Sequence, residues 1–241
     1  MKKSAPSRAA LIIKWPQSAS PAAAREAARR LLANRTPATW SLDQASQIES
    51  LASWGGLRNM SEAALIVPPP ASSATATEQA AIGEVSRRLE LLRFAGLNVD
   101  LVHGGPHLAQ GHWPRTLRAL GVHGVVVDGT AEAAPARSLP FGVWLFTPHA
   151  IVPRIRRWTD WFTRREPLFA GKKATPATAT IDLGRVGAAG SRCWREMELA
   201  IEQAAEARSA GVITLAPMGE LTAQFMQAGA PRPQRSILRA A

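Results

Sequence analysis

The sequence lacks tyrosine altogether and has a single cysteine, although it has eight tryptophans among its 241 residues. One cysteine excludes an intramolecular disulfide and a cysteine-rich zinc site, and the lack of disulfides is typical of a reducing compartment. No apolar run approaches the roughly 18 residues of a membrane span. The apolar stretch at residues 9–13 is shorter than the ~7–15 residues of an export-signal core. We therefore expect a cytoplasmic protein with no membrane span.

Acidic residues are also scarce, since 18 of them stand against 29 lysines and arginines and leave a net charge of +11. An excess of this size can attract nucleic-acid phosphates or anionic lipid. Most of the basic residues are arginines scattered through an Ala- and Arg-rich chain, which is typical of GC-rich codon usage. The charge by itself therefore does not predict a nucleic-acid partner, and we expect none.

The densest mixture of basic and aromatic residues is "PRIRRWTDWFTRR", residues 153–165. Arginines interleaved with tryptophan and phenylalanine can bind nucleic acid, a sugar polymer, an anionic surface or a protein partner. The alternative is a helix that packs Ile155, Trp158 and Phe162 on a sheet and leaves its arginines in solvent. The sequence leaves both interpretations open and favours the second.

Short apolar runs alternate with amphipathic stretches along the chain, and this predicts parallel strands joined by helical crossovers. Continuous runs such as "ALIV" and "GVVV" are typical of strands that are covered on both faces. The predicted strands are residues 9–14, 38–42, 63–67, 97–103, 122–128, 141–146, 177–183 and 211–215. The predicted helices are residues 21–34, 78–95, 113–120, 191–209 and 218–227.

Eight predicted strands with short connections favour an α/β fold of the closed or nearly closed barrel type, a distorted (β/α)7–8 barrel. An open doubly wound sheet is the alternative. We expect one domain over residues 9–228, with an amino-terminal tail at residues 1–8 and a carboxyl-terminal tail at residues 229–241.

Histidines offer one set of candidate site residues, in the stretch "HGGPHLAQGH" that follows a predicted strand. His103 and His107 have the four-residue spacing that chelates a metal when both lie on one helix face. Gly104, Gly105 and Pro106 prevent a regular helix between them, and no acid lies nearby to orient an imidazole. Ordinary loop histidines are therefore the better prediction, while His103 lies where a strand ends and stays a candidate.

Acidic residues at predicted strand ends are few, namely Asp128 in "VVVDGT" and Asp182 in "TIDLG". Hydrolases need such groups as general acids, bases or metal ligands. Asp128 precedes Gly129, so the sequence favours an Asx-type turn for it, with a role at a site as the alternative. A Gly-x-Ser-x-Gly elbow, a P-loop and a dinucleotide fingerprint are all missing.

Three stretches carry a family resemblance. "LIIKWPQSASP" (residues 11–21) is followed by a predicted helix and then by "TPATWSLD" (residues 36–43). Residues 197–225 read "MELAIEQAAEARSAGVITLAPMGELTAQF". This order resembles the polysaccharide deacetylase (NodB homology) family, whose first strand ends in "TFDDGP" and leads through a helix to "KATFFV". Over residues 9–228 the resemblance implies a distorted (β/α) barrel and the fold of metal-dependent carbohydrate de-N-acetylases.

The resemblance also shows which family residues are missing here. Lys14, Trp15 and Pro16 stand where the family has its base and metal aspartates. "ALIVPPPASSA" replaces the motif with two metal histidines, "VHGGPH" replaces an Arg-Pro turn, and "ATATIDL" replaces a Leu-x-His motif. A divalent metal needs about three or four converging donors. We therefore expect no cofactor, and zinc only if displaced ligands hold it.

Three hypotheses follow. In the first, the chain is a catalytically degenerate deacetylase-like protein that binds a saccharide or a protein partner at the barrel mouth. In the second, it is an active deacetylase with displaced ligands drawn from His103, His107, Asp128 and Asp182. In the third, residues 153–165 form a basic interaction module. The candidate ligand-binding residues are Lys14, Trp15, His103, His107 and Asp128, with Trp15 offering a stacking face and Lys14 and His103 polar contacts.

Overall fold

The computed structural model describes residues 7–44, 46–54, 62–69, 75–128, 136–153, 168–169 and 177–229. These residues include ten strands: β1 Ser7–Trp15, β2 Thr39–Leu42, β3 Glu62–Val67, β4 Asn98–Gly104, β5 Gly124–Val127, β6 Arg137–Ser138, β7 Trp144–Phe146, β8 Ala150–Val152, β9 Ala177–Asp182 and β10 Ile213–Leu215. They also include six α-helices: α1 Pro21–Ala33, α2 Ser46–Ser53, α3 Thr75–Phe94, α4 Trp113–Ala119, α5 Arg192–Ser209 and α6 Met218–Gly229.

The strands form one sheet in the order β6-β7-β5-β4-β3-β2-β1-β9-β8, and β10 pairs with β1 beside this path. Every pair is parallel except β6 with β7. The sheet curls into a half-barrel with helices around it. The prediction of a distorted (β/α) barrel is therefore confirmed, with β6 and β8 as the two edges of the described sheet.

Local sequence explains most of the element boundaries. Ser20 caps α1 by accepting a hydrogen bond from the Ala22 amide at 3.2 Å, and Pro21 opens the helix where no donor is needed. The predicted strand at 141–146 is shorter than expected because Pro140–Gly142 is a 3-10 turn, with Phe141 at a φ of 65°. The short strands β6 and β8 and the helix α2 were not predicted, since none has a clear periodic pattern of its own.

The two faces of the sheet bury different residues because successive side chains of a strand point to opposite sides. Leu11, Ile13 and Trp15 of β1 belong to the core between the sheet and its outer helices. Ala10 and Ile12 belong to a smaller core inside the half-barrel, together with Ala64, Leu101, Val126, Phe146, Ala216, Met218 and Leu221. The alternation directs Lys14 to the inner face.

β1 is the most connected strand of the sheet. Its first residues pair with β10, with Ser7 opposite Ile213, and its later residues pair with β2 and β9. Ser7 and Arg8, which are expected to lie in a tail, are thus part of the sheet, because they extend β1 alongside β10. At the other end of the chain, α6 runs to Gly229. Within the described ranges, no helix has the length and apolar character to cross a membrane.

A half-buried carboxyl group holds the amino terminus of α6 against the sheet. Oε1 of Glu62 accepts hydrogen bonds from the Gly219 amide at 2.6 Å and from the Thr39 hydroxyl at 3.1 Å. The Met218 amide in turn donates to Oγ1 of Thr39 at 2.8 Å. Burial, together with the charges of Asp100 and Glu220, raises the pKa of Glu62 above its ordinary value, although the two hydrogen bonds lower it. The amino end of the half-barrel is therefore closed by a helix whose first amides are satisfied by side chains.

Candidate ligand-binding site at the carboxyl end of the sheet

Polar side chains from five strands lie together at the carboxyl end of the half-barrel. Lys14 of β1 is level with Ser41 of β2 on one side and with Asp182 of β9 on the other. His103 comes from β4, and Asp128 directly follows β5. Because carboxyl ends of parallel strands meet at one edge, a parallel sheet brings together residues that are distant in sequence.

Hydrogen bonds join four of these residues into a chain. Oγ of Ser41 lies 2.9 Å from Nδ1 of His103, and Nε2 of His103 lies 2.8 Å from Oδ1 of Asp128. The Lys14 ammonium forms an ion pair with Oδ2 of Asp128. Since the carboxylate can only accept, we assign a proton to Nε2 of His103, and Nδ1 forms the second hydrogen bond of the ring with the Ser41 hydroxyl.

Asp182 stands on the other side of the lysine. Its Oδ2 lies 3.9 Å from Nζ of Lys14 and 3.2 Å from Nε of Arg185. Its Oδ1 accepts the Gly184 amide at 3.1 Å, which makes it the cap of the turn that follows β9. The Lys14 ammonium thus lies between two carboxylates.

The charge state of Asp128 follows from these contacts. Burial alone raises its pKa, but the hydrogen bonds and charges of His103 and Lys14 outweigh burial and hold the pKa far below its ordinary value. Asp128 is therefore ionised at neutral pH. A carboxylate held so firmly in its charged form is a poor general base, because it has little tendency to take up a proton.

The cluster is reached by solvent from one side. The side chains of Lys14 and Asp128 are 19% and 18% exposed, whereas the His103 side chain is fully buried. Ser41 is fully buried as well. A ligand at the mouth would therefore meet Lys14 and Asp128, while Ser41 and His103 support Asp128 from behind.

The order Ser41–His103–Asp128 has the residue types of a serine hydrolase triad, but not its geometry. A nucleophilic serine must reach the substrate, and here the serine is the buried end and the carboxylate is the accessible end. The arrangement therefore positions and charges Asp128 rather than activating Ser41.

Residues of this cluster do not fit a zinc ion. His103, Asp128 and Asp182 supply three donors of suitable type, but the Lys14 ammonium is paired with Asp128 and adjacent to Asp182. A positive charge between the carboxylates repels a second cation and already offsets part of their negative charge. Across the described ranges, no group of three or more His, Cys, Asp or Glu side chains is arranged to hold a metal ion.

The structure brings Lys14, His103 and Asp128 of the candidate residues together. The two carboxylate oxygens of Asp128 accept from His103 and Lys14, while the predicted Asx-type turn involves residues after Asp128 that lie outside the described ranges. Asp182 joins them, as its place at a strand end suggested. Ser41 was missed, although its predicted strand and the alternation of side chains would have placed it level with Lys14.

Trp15 is not part of the cluster. Its side chain points to the helix-covered face of β1 and is only 4% exposed. Its ring stacks on Trp54 at 5.5 Å between centroids and meets Trp40 edge-on at 6.1 Å. The prediction of a sugar-stacking face at Trp15 is corrected accordingly, because strand alternation sends neighbouring residues to opposite sides.

His107 lies in the 3-10 turn Pro106–Ala109 and is not bonded to the cluster. Its ring meets Trp113 edge-on at 5.8 Å, and its Nε2 is buried with no hydrogen-bond partner among the described residues. Burial lowers its pKa, so that it is neutral at pH 7. Of the basic segment 153–165, all but Pro153 lies outside the described residues.

Neither the protein-family models nor the curated proteins include a match to the sequence. Solved structures do match. One, described as a polysaccharide deacetylase involved in O-antigen biosynthesis in Bordetella bronchiseptica, is 11% identical, with a TM-score of 0.54 over 80% of this chain and 90% of that chain. Another, described as a polysaccharide deacetylase from Mycobacterium smegmatis, is 16% identical, with a TM-score of 0.54 over 99% of this chain and 98% of that chain.

A third match, 4-α-glucanotransferase from Thermococcus litoralis, is 14% identical, with a TM-score of 0.54 over 93% of this chain and 38% of that chain. At these identities the likeness establishes the fold and carries no residue roles.

Proposed function

The chain has the fold of the polysaccharide deacetylases, and on this basis we propose that it binds a saccharide at the carboxyl end of its half-barrel without metal-dependent hydrolysis. The fold alone does not decide between binding and catalysis. The decision between them depends on the side chains at the mouth.

The observation that carries the proposal is the Lys14 ammonium between Asp128 and Asp182. The resemblance gives the family an aspartate pair at this strand end, and here a fixed cation stands among the remaining carboxylates. Lys14 therefore supplies internally the positive charge that a metal would bring, but it offers no open coordination position and does not lower the pKa of a bound water as a metal does.

The same side chains suit the recognition of sugar hydroxyl and acetamide groups. The Lys14 ammonium has three donor protons, and the carboxylates of Asp128 and Asp182 accept hydrogen bonds. A hydroxyl group both donates and accepts, so it can bridge the ion pair without separating its charges. Arg185, whose side chain is 37% exposed, adds further donors at the rim.

An active deacetylase with displaced ligands is the second candidate, because the sheet does gather His103, Asp128 and Asp182. That activity would require Lys14 to leave the carboxylates. Interaction through residues 153–165 stays a prediction from the sequence, and so does a protein partner at the mouth.

Calorimetric titration with chitotetraose, a neutral N-acetylated sugar, tests binding, and acetate release with and without added zinc tests catalysis. We expect saturable binding and no acetate. Stoichiometric zinc in the purified protein, lost when His103 or Asp128 is replaced, would overturn the proposal in favour of the second candidate.

Two variants locate the binding site. Lys14→Met and Asp128→Asn each remove a charge-assisted hydrogen bond, so we expect chitotetraose to bind about 10- to 100-fold more weakly. Arg192→Met, on the exposed face of α5, is the control and should bind like the wild type. Unchanged affinity in both mouth variants, with folding verified by circular dichroism, would contradict a site at the mouth.

A further inference from the structure

A groove of about 480 Å³ lies beside the mouth, on the outer side of the sheet. Its polar walls come from Gln17, Asp43, Glu84, Arg87 and Arg88, and its floor is apolar. We name it the outer groove. The volume falls within the ~300–1,000 Å³ of ordinary ligand pockets, and none of the candidate residues of the sequence analysis lines it.

The position of the outer groove is continuous with the mouth. Gln17 follows Lys14 by three residues in the loop after β1, and Asp43 follows Ser41 by two residues in the loop after β2. Leu65, on the groove floor, belongs to the core on the helix side of the sheet. The mouth and the outer groove therefore share the rim that these two loops form.

The wall next to the rim is held rigidly. Arg88 donates both to the backbone oxygen and to the carboxylate of Asp43. The Gln17 amide donates to the same carboxylate at 3.2 Å, and Gln47 accepts the Asp43 amide at 2.7 Å. Hydrogen bonds thus fix the loop after β2 before any ligand arrives, which lowers the entropic cost of binding.

Charges in the groove cancel locally. Glu84 and Arg87 form a two-pronged ion pair with both N–O distances at 2.9 Å, and Asp43 is paired with Arg88. An anionic or cationic ligand would have to compete with an internal partner for either charge. A neutral ligand rich in hydroxyl groups can instead bond to the free edges of the paired groups.

The floor suits one face of such a ligand. Leu91 is 43% exposed at the groove and lies near Leu65 and Leu92, which are buried. Sugar rings combine apolar C–H faces with polar hydroxyl edges, and the groove combines an apolar floor with polar walls. Ligand pockets commonly show this division between an apolar lining and a few placed polar groups.

From this geometry we propose that the outer groove is a second subsite that takes the continuing units of a neutral oligosaccharide whose end lies at the mouth. The proposal rests on the proposed function and adds to it the substrate class: an uncharged chain of several sugar units rather than a monosaccharide or a charged polymer.

The test compares the calorimetric affinity of N-acetylglucosamine, chitotetraose and the anionic tetramer of galacturonic acid. The groove variants are Arg87→Met and Leu91→Lys. Arg29→Met is the matched control, because Arg29 and Arg87 are both 63% exposed and both pair with a glutamate three positions earlier. We expect both groove variants to bind chitotetraose at least tenfold more weakly and to bind N-acetylglucosamine as the wild type does.

The outcomes separate the two proposals. If the groove variants bind chitotetraose normally while Lys14→Met binds it weakly, the second subsite is overturned and the proposed function stands. If the groove variants weaken binding and Lys14→Met does not, the mouth site fails and the outer groove stands alone. A preference for the galacturonate tetramer overturns the neutral class of ligand, and absence of binding to both neutral probes overturns both proposals.

Discussion

Lys14 and Asp128 are 114 positions apart in the sequence, and their side chains form an ion pair at the mouth of the half-barrel. Strands β1 and β5, which position them, are separated in the sheet by β2, β3 and β4. The pair therefore bridges the concave surface rather than two adjacent strands, and it draws the inner side chains towards one point.

Replacement of Lys14 by methionine should destabilise the fold. Asp128 and Asp182 would then share a poorly solvated site with no lysine between them, and we expect a loss of about 2 kcal/mol in the free energy of unfolding at pH 7. Urea unfolding measures it. The loss should shrink as the pH falls, because an uncompensated carboxyl group can take up a proton. An equal loss at pH 7 and pH 4 would contradict this explanation.

Asp128 should make the stability of the protein depend on pH in acid. Its pKa in the folded state lies below the ordinary value of 3.8, so the unfolded chain takes up the proton first. The contribution of Asp128 is complete above that ordinary value and is lost as the pH falls towards the lower folded pKa. Between pH 5 and pH 2.5, the urea midpoint of unfolding should fall less for Asp128→Asn than for the wild type. If the urea midpoints of the two proteins fell in parallel with pH, Asp128 would not be held ionised in the folded state.

Ser41 should act only as a support. Ser41→Ala removes the hydroxyl that bonds to Nδ1 of His103 and should lower the free energy of unfolding by about 1 kcal/mol. Hydrolysis of p-nitrophenyl acetate provides the second readout, since a nucleophilic serine would react with it. In the presence of the wild type or of Ser41→Ala, the ester should be hydrolysed no faster than in buffer alone. A burst of product that depends on Ser41 would support the triad interpretation instead.

At the opposite end of the sheet, two substitutions of Glu62 separate the effect of its hydrogen bonds on stability from the effect of its charge. Glu62→Ala leaves the Gly219 amide and the Thr39 hydroxyl without their acceptor, at a cost of about 2 kcal/mol in the free energy of unfolding. Glu62→Gln keeps an acceptor and has no charge to bury.

The raised pKa of Glu62 gives a pH signature for the same comparison. The folded state holds the proton more tightly than the unfolded state, so the wild type loses stability as the pH rises from the ordinary 4.5 through the raised value. Glu62→Gln has no such loss. From pH 4 to pH 8, its urea midpoint should therefore rise increasingly above that of the wild type. If the wild type became more stable relative to the Glu62→Gln variant as the pH rises from 4 to 8, the expected sign would be wrong.

Trp15 should matter for stability and not for binding. Trp15→Ala removes a buried ring from between Trp40 and Trp54 and should cost about 3–5 kcal/mol. Trp15→Phe keeps most of the packing and should bind chitotetraose with wild-type affinity. Weaker chitotetraose binding by a well-folded Trp15→Phe variant would indicate that Trp15 contacts the ligand.

The fold could be predicted because its signals are local. Continuous apolar runs, the Ser20–Pro21 helix start and the alternation of strands with helices are each contained in a short stretch of sequence. Together they favour a barrel of parallel strands over an open doubly wound sheet. β6, β8 and α2 could not be predicted, because two- and three-residue strands and an eight-residue helix depend on neighbours rather than on their own pattern.

The candidate site could be predicted only in part. His103, Asp128 and Lys14 each follow from a position at a strand end, but a list of strand ends does not give the face to which each side chain points. Trp15 was assigned to the mouth for that reason, and Ser41 was overlooked. The outer groove had no sequence signal, since its walls combine two loops with residues 84–92 of helix α3, which lie forty or more positions later in the sequence.

Strand β1 also has a consequence for how the protein is made. Its first three residues have their partners at Ile213–Leu215, near the other end of the described chain. A ribosome releases a chain from its amino terminus, so β1 emerges before β10, with about 200 residues synthesised between them. The strand that pairs with three others therefore gains its β10 partner only after the intervening strands and helices have been synthesised, as is expected of folds dominated by contacts between distant parts of the sequence.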